Sequence, residues 1–278
     1  MNEAPPIVLC FSSNDPSGGT GISGDILTLA SLGCHALPVV TALTTQDSSG
    51  IEEVMPIDPD WVSDQARFIL EDMPVKAFKV GMVGSIENMA VIAEIVTDYP
   101  DIPLVLDPVF IPGDSQTPYS DEFIAAMYSL LVPYAHIVTL NSMETRVLVL
   151  EEGEEESELT LEVSAQRLLQ QECDYVLITG THENTPKVIN TLYDSSGALF
   201  SVEWERLPGR FHGKGGTLSA ALAGALANNI SIRDAVKEAQ EYTWQALKHG
   251  YRAGMGKHLL DRLFWARQEA SRFPPTNE

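Results

Sequence analysis

Cysteine is scarce: Cys10, Cys34 and Cys173 are the only three in 278 residues. Widely spaced and odd in number, they make neither a disulfide framework nor a zinc site, which points to a reduced, cytoplasmic protein. Long apolar runs are missing too. No uninterrupted stretch approaches the ~18 residues of a membrane span. The opening MNEAPPIVLCFSSND has no basic segment and only a short apolar one, so no signal peptide is expected. Positive charge is thin, with 17 Lys plus Arg against 39 Asp plus Glu and a net charge of −22. Such a chain repels nucleic acid and anionic lipid, so neither is expected as a partner. Its one basic cluster, Arg206, Arg210, His212 and Lys214, lies within nine residues beside a glycine-rich stretch.

What is present is an ordinary globular composition, 44% hydrophobic and 20% charged. No linker divides residues 1–278, and a single domain is expected. Apolar runs predict strands near 6–13, 35–42, 77–81, 103–109, 135–140, 174–180, 188–193 and 198–204. Amphipathic patterns predict helices near 20–32, 58–71, 86–98, 120–131, 142–150 and 160–171, then 216–229, 231–248 and 258–270. The alternation argues for an α/β fold, a mostly parallel sheet with helices on both faces. Strands 188–193 and 198–204, joined through Asp194-Ser195-Ser196-Gly197, read as an antiparallel hairpin. Six glutamates in residues 151–158 read as a solvated surface loop.

In open parallel sheets, ligands gather at the carboxyl ends of strands. The first strand leads into Asp15-Pro16-Ser17-Gly18-Gly19-Thr20-Gly21-Ile22 and then Asp25. That segment is either a glycine-rich ligand loop or a tight turn capped by Ser17 or Thr20. Gln46 follows the second strand in a polar loop, and its amide could serve a heterocycle edge. Met82 follows the third, where core filling is the commoner use. Asp107 ends the fourth, and a carboxylate leaving a buried strand needs a partner or a cation. Asn141 and Glu144 fit a plain capping box, and equally fit a pair that holds hydrated Mg²⁺ beside Asp107.

The segment Phe211-His212-Gly213-Lys214-Gly215-Gly216-Thr217-Leu218-Ser219 opens onto a helix of small residues. Free N–H groups at such a helix start make an anion site. It is no Walker A loop, because Gly209 to Gly213-Lys214 is one residue short and Gly215 stands where Ser or Thr belongs.

Taken in order, Asp15–Ile22 with Asp25, Thr41-Ala42-Leu43 through Gln46, Lys79-Val80-Gly81-Met82, Leu106–Val109, Asn141 with Glu144, and His212–Ser219 resemble the hydroxymethylpyrimidine and phosphomethylpyrimidine kinases of thiamine biosynthesis. These belong to the ribokinase-like superfamily. The resemblance implies a three-layer α/β/α sandwich with a mostly parallel central sheet. It also implies an enzyme that transfers the ATP γ-phosphoryl group to the pyrimidine or its monophosphate, often as a homodimer. By resemblance, Asp25, Gln46, Met82 and Val109 contact the pyrimidine, and Asp107, Asn141 and Glu144 organise Mg²⁺ and phosphates. Thr179, His182, Lys214 and Thr217 face ATP, and Gly213, Lys214, Gly215 and Gly216 form the catalytic anion hole.

Three departures stand out. The family's usual catalytic cysteine is replaced by Gly216, and its phosphate-contacting lysine by Thr179. The segment after Val109 reads Phe110-Ile111-Pro112-Gly113-Asp114, without the usual lysine near the substrate. Lys214 replaces the loop's usual threonine and could return a positive charge. Two further readings therefore stand beside the kinase: a weakened homologue that binds the pyrimidine or a nucleotide, and a pyridoxal-type kinase.

Overall fold

The computed structural model describes residues 4–110 and 120–266. Nine strands form one sheet: β1 (Ile7–Asn14), β2 (His35–Gln46), β3 (Ile51–Pro56), β4 (Val75–Val80), β5 (Leu104–Leu106), β6 (Ile137–Asn141), β7 (Tyr175–Thr179), β8 (Lys187–Asp194) and β9 (Gly197–Glu205). A small second sheet pairs β10 (Phe211–His212) with β11 (His258–Leu259). The helices are α1 (Gly21–Ser31), α2 (Pro59–Asp72), α3 (Ile86–Asp98), α4 (Asp121–Leu130), α5 (Ser142–Val149), α6 (Leu161–Leu169), α7 (Lys214–Ala227) and α8 (Ile232–Lys248).

The large sheet runs β3-β2-β1-β4-β5-β6-β7-β8-β9. Pairings from β2 through β7 are parallel, while β3, β8 and β9 pair antiparallel with their neighbours. The expected hairpin is present as β8 and β9.

Alternation along the central strands builds the three layers. In β1, Ile7, Leu9 and Phe11 enter a core shared with Val62, Ile92, Met127, Leu148 and Leu168 of α2–α6. Val8 and Cys10 enter the opposite core with Leu29 of α1, Leu222 of α7 and Val236 of α8. Both faces of β1 are therefore covered, which is why IVLCFSSN carries no polar alternation before its end. Each fully buried Leu, Phe or Ile contributes about 1.5–3 kcal/mol.

Several boundaries differ from the sequence reading. Strand β3 lies outside the expected strands, because IEEVMP is a partly exposed edge strand with no apolar run. Its pairing extends β2 to Gln46, so Gln46 ends a strand instead of standing in a loop. Strand β5 is only three residues long, between Pro103 and Pro108, which offer no ladder donor. The helix expected at 258–270 begins instead as β11, which joins β10, and only residues 264–266 are helical before 267–270 pass outside the described residues. Helix α7 starts at Lys214, two residues before the expected 216. Segment 151–158 is a largely exposed loop in which Glu154 pairs with Arg167 at 2.6 Å. No helix among the described residues is long and apolar enough to cross a membrane.

Candidate active site

The carboxyl ends of β1, β4, β5, β6 and β7 open into one polar cavity of ≈ 270 Å³. Ser12, Lys79, Asp107, Asn141 and Thr179 line it from the strands, and Gly213 to Gly216 close it from α7. Gly213 is the N-cap of α7 with φ 92, a left-handed conformation, and a Cβ there would strike the Gly19 carbonyl. The helix ladder begins with the Thr217 N–H donating to the Gly213 carbonyl at 3.0 Å. The N–H groups of Gly215 and Gly216 precede it in the first turn, whose donors have no acceptor within the helix itself. Asp107 faces this turn, its Oδ1 3.3 Å from where a Cβ on Gly215 would lie.

Two glycine-bearing loops are locked together behind the helix start. Asp15 accepts the Ser17 and Thr20 N–H groups at 2.8 and 2.9 Å, and its Oδ2 lies 2.9 Å from His212 Nε2. Burial works against the Asp15 charge, yet bonds from His212 and Ser17 hold its carboxyl below the ordinary range. Arg262, 4% exposed, donates to the Gly19 carbonyl at 2.6 Å and to Thr217 Oγ1 at 3.1 Å. No motif or spacing marks this arginine, which falls in the stretch 258–270 expected to be helical.

The electrostatics combine buried acids with nearby cations. Burial pushes Asp107 above its ordinary range, against the pull of Lys79 and a bond from Ser219 at 3.1 Å. Glu144 is raised to about 7 by burial, with the Asp107 charge adding to the rise. Burial lowers His182, and the Lys214 and Arg206 charges push it the same way. Lys79 is held above the ordinary lysine range, because the Asp25 and Asp107 carboxylates outweigh its desolvation.

Most, though not all, of the expected site residues converge. Gln46, Met82, Val109, Asp107, Asn141, Glu144, Thr179, His182, Lys214 and Gly213 through Gly216 all line the cavity. Two do not. Asp25 is fully buried beneath it, with Oδ2 paired to Lys79 Nζ at 3.0 Å. Thr217 is also fully buried and turned away, its hydroxyl donating to the Gly213 carbonyl at 2.8 Å. Asn141 and Glu144 do form the capping box: Asn141 Oδ1 accepts the Met143 and Glu144 N–H groups, and Glu144 Oε2 accepts the Asn141 N–H. That leaves Glu144 Oε1 outside the box. Residues 111–114, where the family's lysine is lacking, lie outside the described residues.

The basic cluster divides its work. Arg206 donates to the carbonyls of Gly180, Thr181, Glu183 and Thr185, fastening the turn after β7. His212 joins Asp15, and Lys214 lines the cavity. Gln46 Nε2 lies 3.1 Å from His212 Nε2, and Gln46 Oε1 accepts the Thr44 hydroxyl at 2.8 Å. Lys79, part of a matching motif but given no site role by the sequence, carries the same signal as Asp107, a charge on a buried strand.

A second, more apolar cavity of ≈ 330 Å³ adjoins the first and shares Thr179, Thr181, Phe211, Lys214, Gly215 and Leu218 with it. Trp204 and Trp244 line it, their rings stacked with centroids 5.8 Å apart. An aromatic slot joined to an anion-binding helix start suits a planar base carrying phosphates.

The sequence profile of the phosphomethylpyrimidine kinase family matches residues 15–261. The chain belongs to that family. It is a kinase with the three-layer, ribokinase-like architecture. The hydroxymethylpyrimidine/phosphomethylpyrimidine kinase of Mycobacterium tuberculosis (H37Rv) is 32% identical to it over 264 residues, 94% of each chain. Among solved structures, a phosphomethylpyrimidine kinase from Clostridium difficile 630 is 26% identical with a TM-score of 0.73, covering 87% of this chain and 99% of its own. The Staphylococcus aureus pyridoxal kinase in complex with pyridoxal is 25% identical with a TM-score of 0.85, covering 95% and 96%.

Proposed function

We propose that this kinase phosphorylates 4-amino-5-hydroxymethyl-2-methylpyrimidine, its monophosphate, or both, from ATP, in thiamine biosynthesis. The observation that carries the reading is the junction of the two cavities at Lys214 and Gly215. The base of ATP occupies the slot beside Trp204 and Trp244, and its phosphates cross the start of α7. The pyrimidine lies against Gln46, Met82 and Val109. The N–H groups at the start of α7, those of Gly215 and Gly216 among them, stabilise charge on the transferring phosphoryl group, which is how such transfers are chiefly accelerated. Lys214 and Arg206 supply positive potential near the position of the family's lysine, occupied here by Thr179.

Asp107 and Glu144 fit a Mg²⁺ ion. Both are buried acids that line the same cavity, and the Oε1 of Glu144 stays outside the capping box. Mg²⁺ characteristically takes one or two carboxylates plus waters and phosphates. When bound it would neutralise phosphate charge. Asn141 orients Glu144 through the capping box instead of serving as a ligand.

Three free, buried cysteines support a reducing, cytoplasmic setting for one domain acting alone or as a homodimer. A second reading, a pyridoxal kinase, draws on the match to the Staphylococcus aureus structure. A third, a binding protein with little turnover, draws on the bare Gly216. Mass-spectrometric turnover with Mg-ATP on the pyrimidine, its monophosphate and pyridoxal in parallel separates them. Preferred conversion of a pyrimidine supports the proposal. Preferred conversion of pyridoxal, or binding without product, replaces it with the second or third reading.

A further inference from the structure

Thr20 is the N-cap residue of α1, yet its side chain makes no capping hydrogen bond. The backbone of Thr20 is held on both sides: Asp15 takes its N–H, and its carbonyl receives the Gly24 N–H at 3.2 Å as the first bond of the helix. The Thr20 hydroxyl is therefore not engaged in capping its own helix. It lines the polar cavity and lies 3.1 Å from where a Cβ on Gly216 would stand. That is closer than a neighbouring side chain ordinarily approaches, and among the described residues no other heavy atom beyond Gly216's own chain neighbours and helix backbone comes within 4 Å of the same point.

Two features of this chain thus fit each other. Gly216 leaves a space at the first turn of α7, and a hydroxyl from the opposite loop reaches into it. Asp107 faces the same turn over Gly215. A small oxygen atom approaching the N–H groups of Gly215 and Gly216 meets the Thr20 hydroxyl, a group that both donates and accepts. The anchoring is firm, because Asp15 ties the Thr20 loop to His212 of β10, and Arg262 ties Gly19 to Thr217 of α7. A hydroxyl held in place orients a reacting oxygen more effectively than a mobile one.

We propose that the Thr20 hydroxyl holds the acceptor oxygen of the substrate at the start of α7, and that Gly216 is bare to admit it. Thr20 is a specificity-determining and positioning residue: it distinguishes a pyrimidine that carries a hydroxyl from one that does not. The inference rests on the proposed pyrimidine substrate and adds the residue that reads its reactive group.

The test compares the affinities of 4-amino-5-hydroxymethyl-2-methylpyrimidine and its 5-methyl analogue, which lacks only the hydroxyl. Wild type, Thr20→Val and Thr20→Ser are measured by calorimetry, with melting temperatures recorded on the same samples. Wild type is expected to prefer the hydroxymethyl compound about tenfold, the scale of one well-made hydrogen bond. Thr20→Val, of nearly the same shape, loses that preference while its melting temperature and its affinity for the methyl analogue stay put. Thr20→Ser retains it. A Thr20→Val protein that still prefers the hydroxymethyl compound as strongly as wild type overturns the inference and leaves the kinase reading intact. A wild type that binds neither pyrimidine overturns the proposed pyrimidine substrate, and this inference with it.

Discussion

Lys79 Nζ and Asp25 Oδ2 form a 3.0 Å ion pair whose side chains are 2% and 1% exposed, directly beneath the polar cavity. Lys79 reaches the cavity and Asp25 does not, so the aspartate acts through the lysine. Asp25 Oδ1 is buried without a hydrogen-bond partner, which makes the pair costly to keep. Removing one partner strands the other charge. Asp25→Ala is expected to destabilise the fold by about 3–5 kcal/mol, visible in urea unfolding. An Asp25→Ala protein with unchanged stability and a raised pyrimidine KM contradicts this placement and restores direct contact with substrate.

Arg262 joins the Gly19 carbonyl to the Thr217 hydroxyl. Arg262→Met removes both bonds, each worth about 1.5–3 kcal/mol when one partner is charged. Arg262→Lys recovers little, since one ammonium does not reproduce the guanidinium fork. Amide exchange of residues 18–21 is expected to accelerate in both variants. Unchanged exchange shows that the loops hold without the arginine.

Asp15 gives a pH signature. Its folded carboxyl sits below the ordinary range, so the unfolded state binds the proton more readily. The stabilisation is complete above the unfolded pKa of about 3.9 and is lost as pH falls through the lower folded value. The stability gap between wild type and Asp15→Asn is expected to be largest near neutrality and to shrink on acidification below about pH 4. A gap that widens as pH falls has the wrong sign for this account.

Arg206 is exposed, and its bonds go to four carbonyls of the turn after β7. Arg206→Met should therefore change stability little but loosen the turn carrying Thr181 and His182. The KM for ATP is expected to rise several-fold, with kcat for the pyrimidine less affected. A loss confined to pyrimidine KM assigns the turn to the other substrate.

Gly216 and Thr20 should be energetically coupled. Gly216→Ala places a methyl 3.1 Å from Thr20 Oγ1 and is expected to lower kcat about tenfold, roughly 1.4 kcal/mol of barrier. With Thr20→Ala already present, the same change should cost much less, a non-additivity that neighbours in contact show. Additive effects indicate that the two residues do not meet.

The central fold was legible because its strands are buried on both faces and leave continuous apolar runs, as in β1, β6 and β7. The edge strand β3 and the short β10 and β11 bury too little to leave that mark. The site was legible where residue type and strand end coincide, as for Asp107, Glu144 and the glycines of α7. It failed where burial decides. Asp25 and Thr217 sit within matching motifs, yet one faces Lys79 below the cavity and the other faces Arg262 behind it. Arg206 and Arg262 act on backbone carbonyls far away in sequence, a relationship that spacing does not encode.

The most direct test of the account is a rapid-quench single turnover with excess enzyme, Mg-ATP and 4-amino-5-hydroxymethyl-2-methylpyrimidine. The account predicts one phosphorylated pyrimidine for each ADP formed, without a cysteine at position 216. ADP formed with no phosphorylated pyrimidine, or bound pyrimidine recovered unchanged, would contradict it.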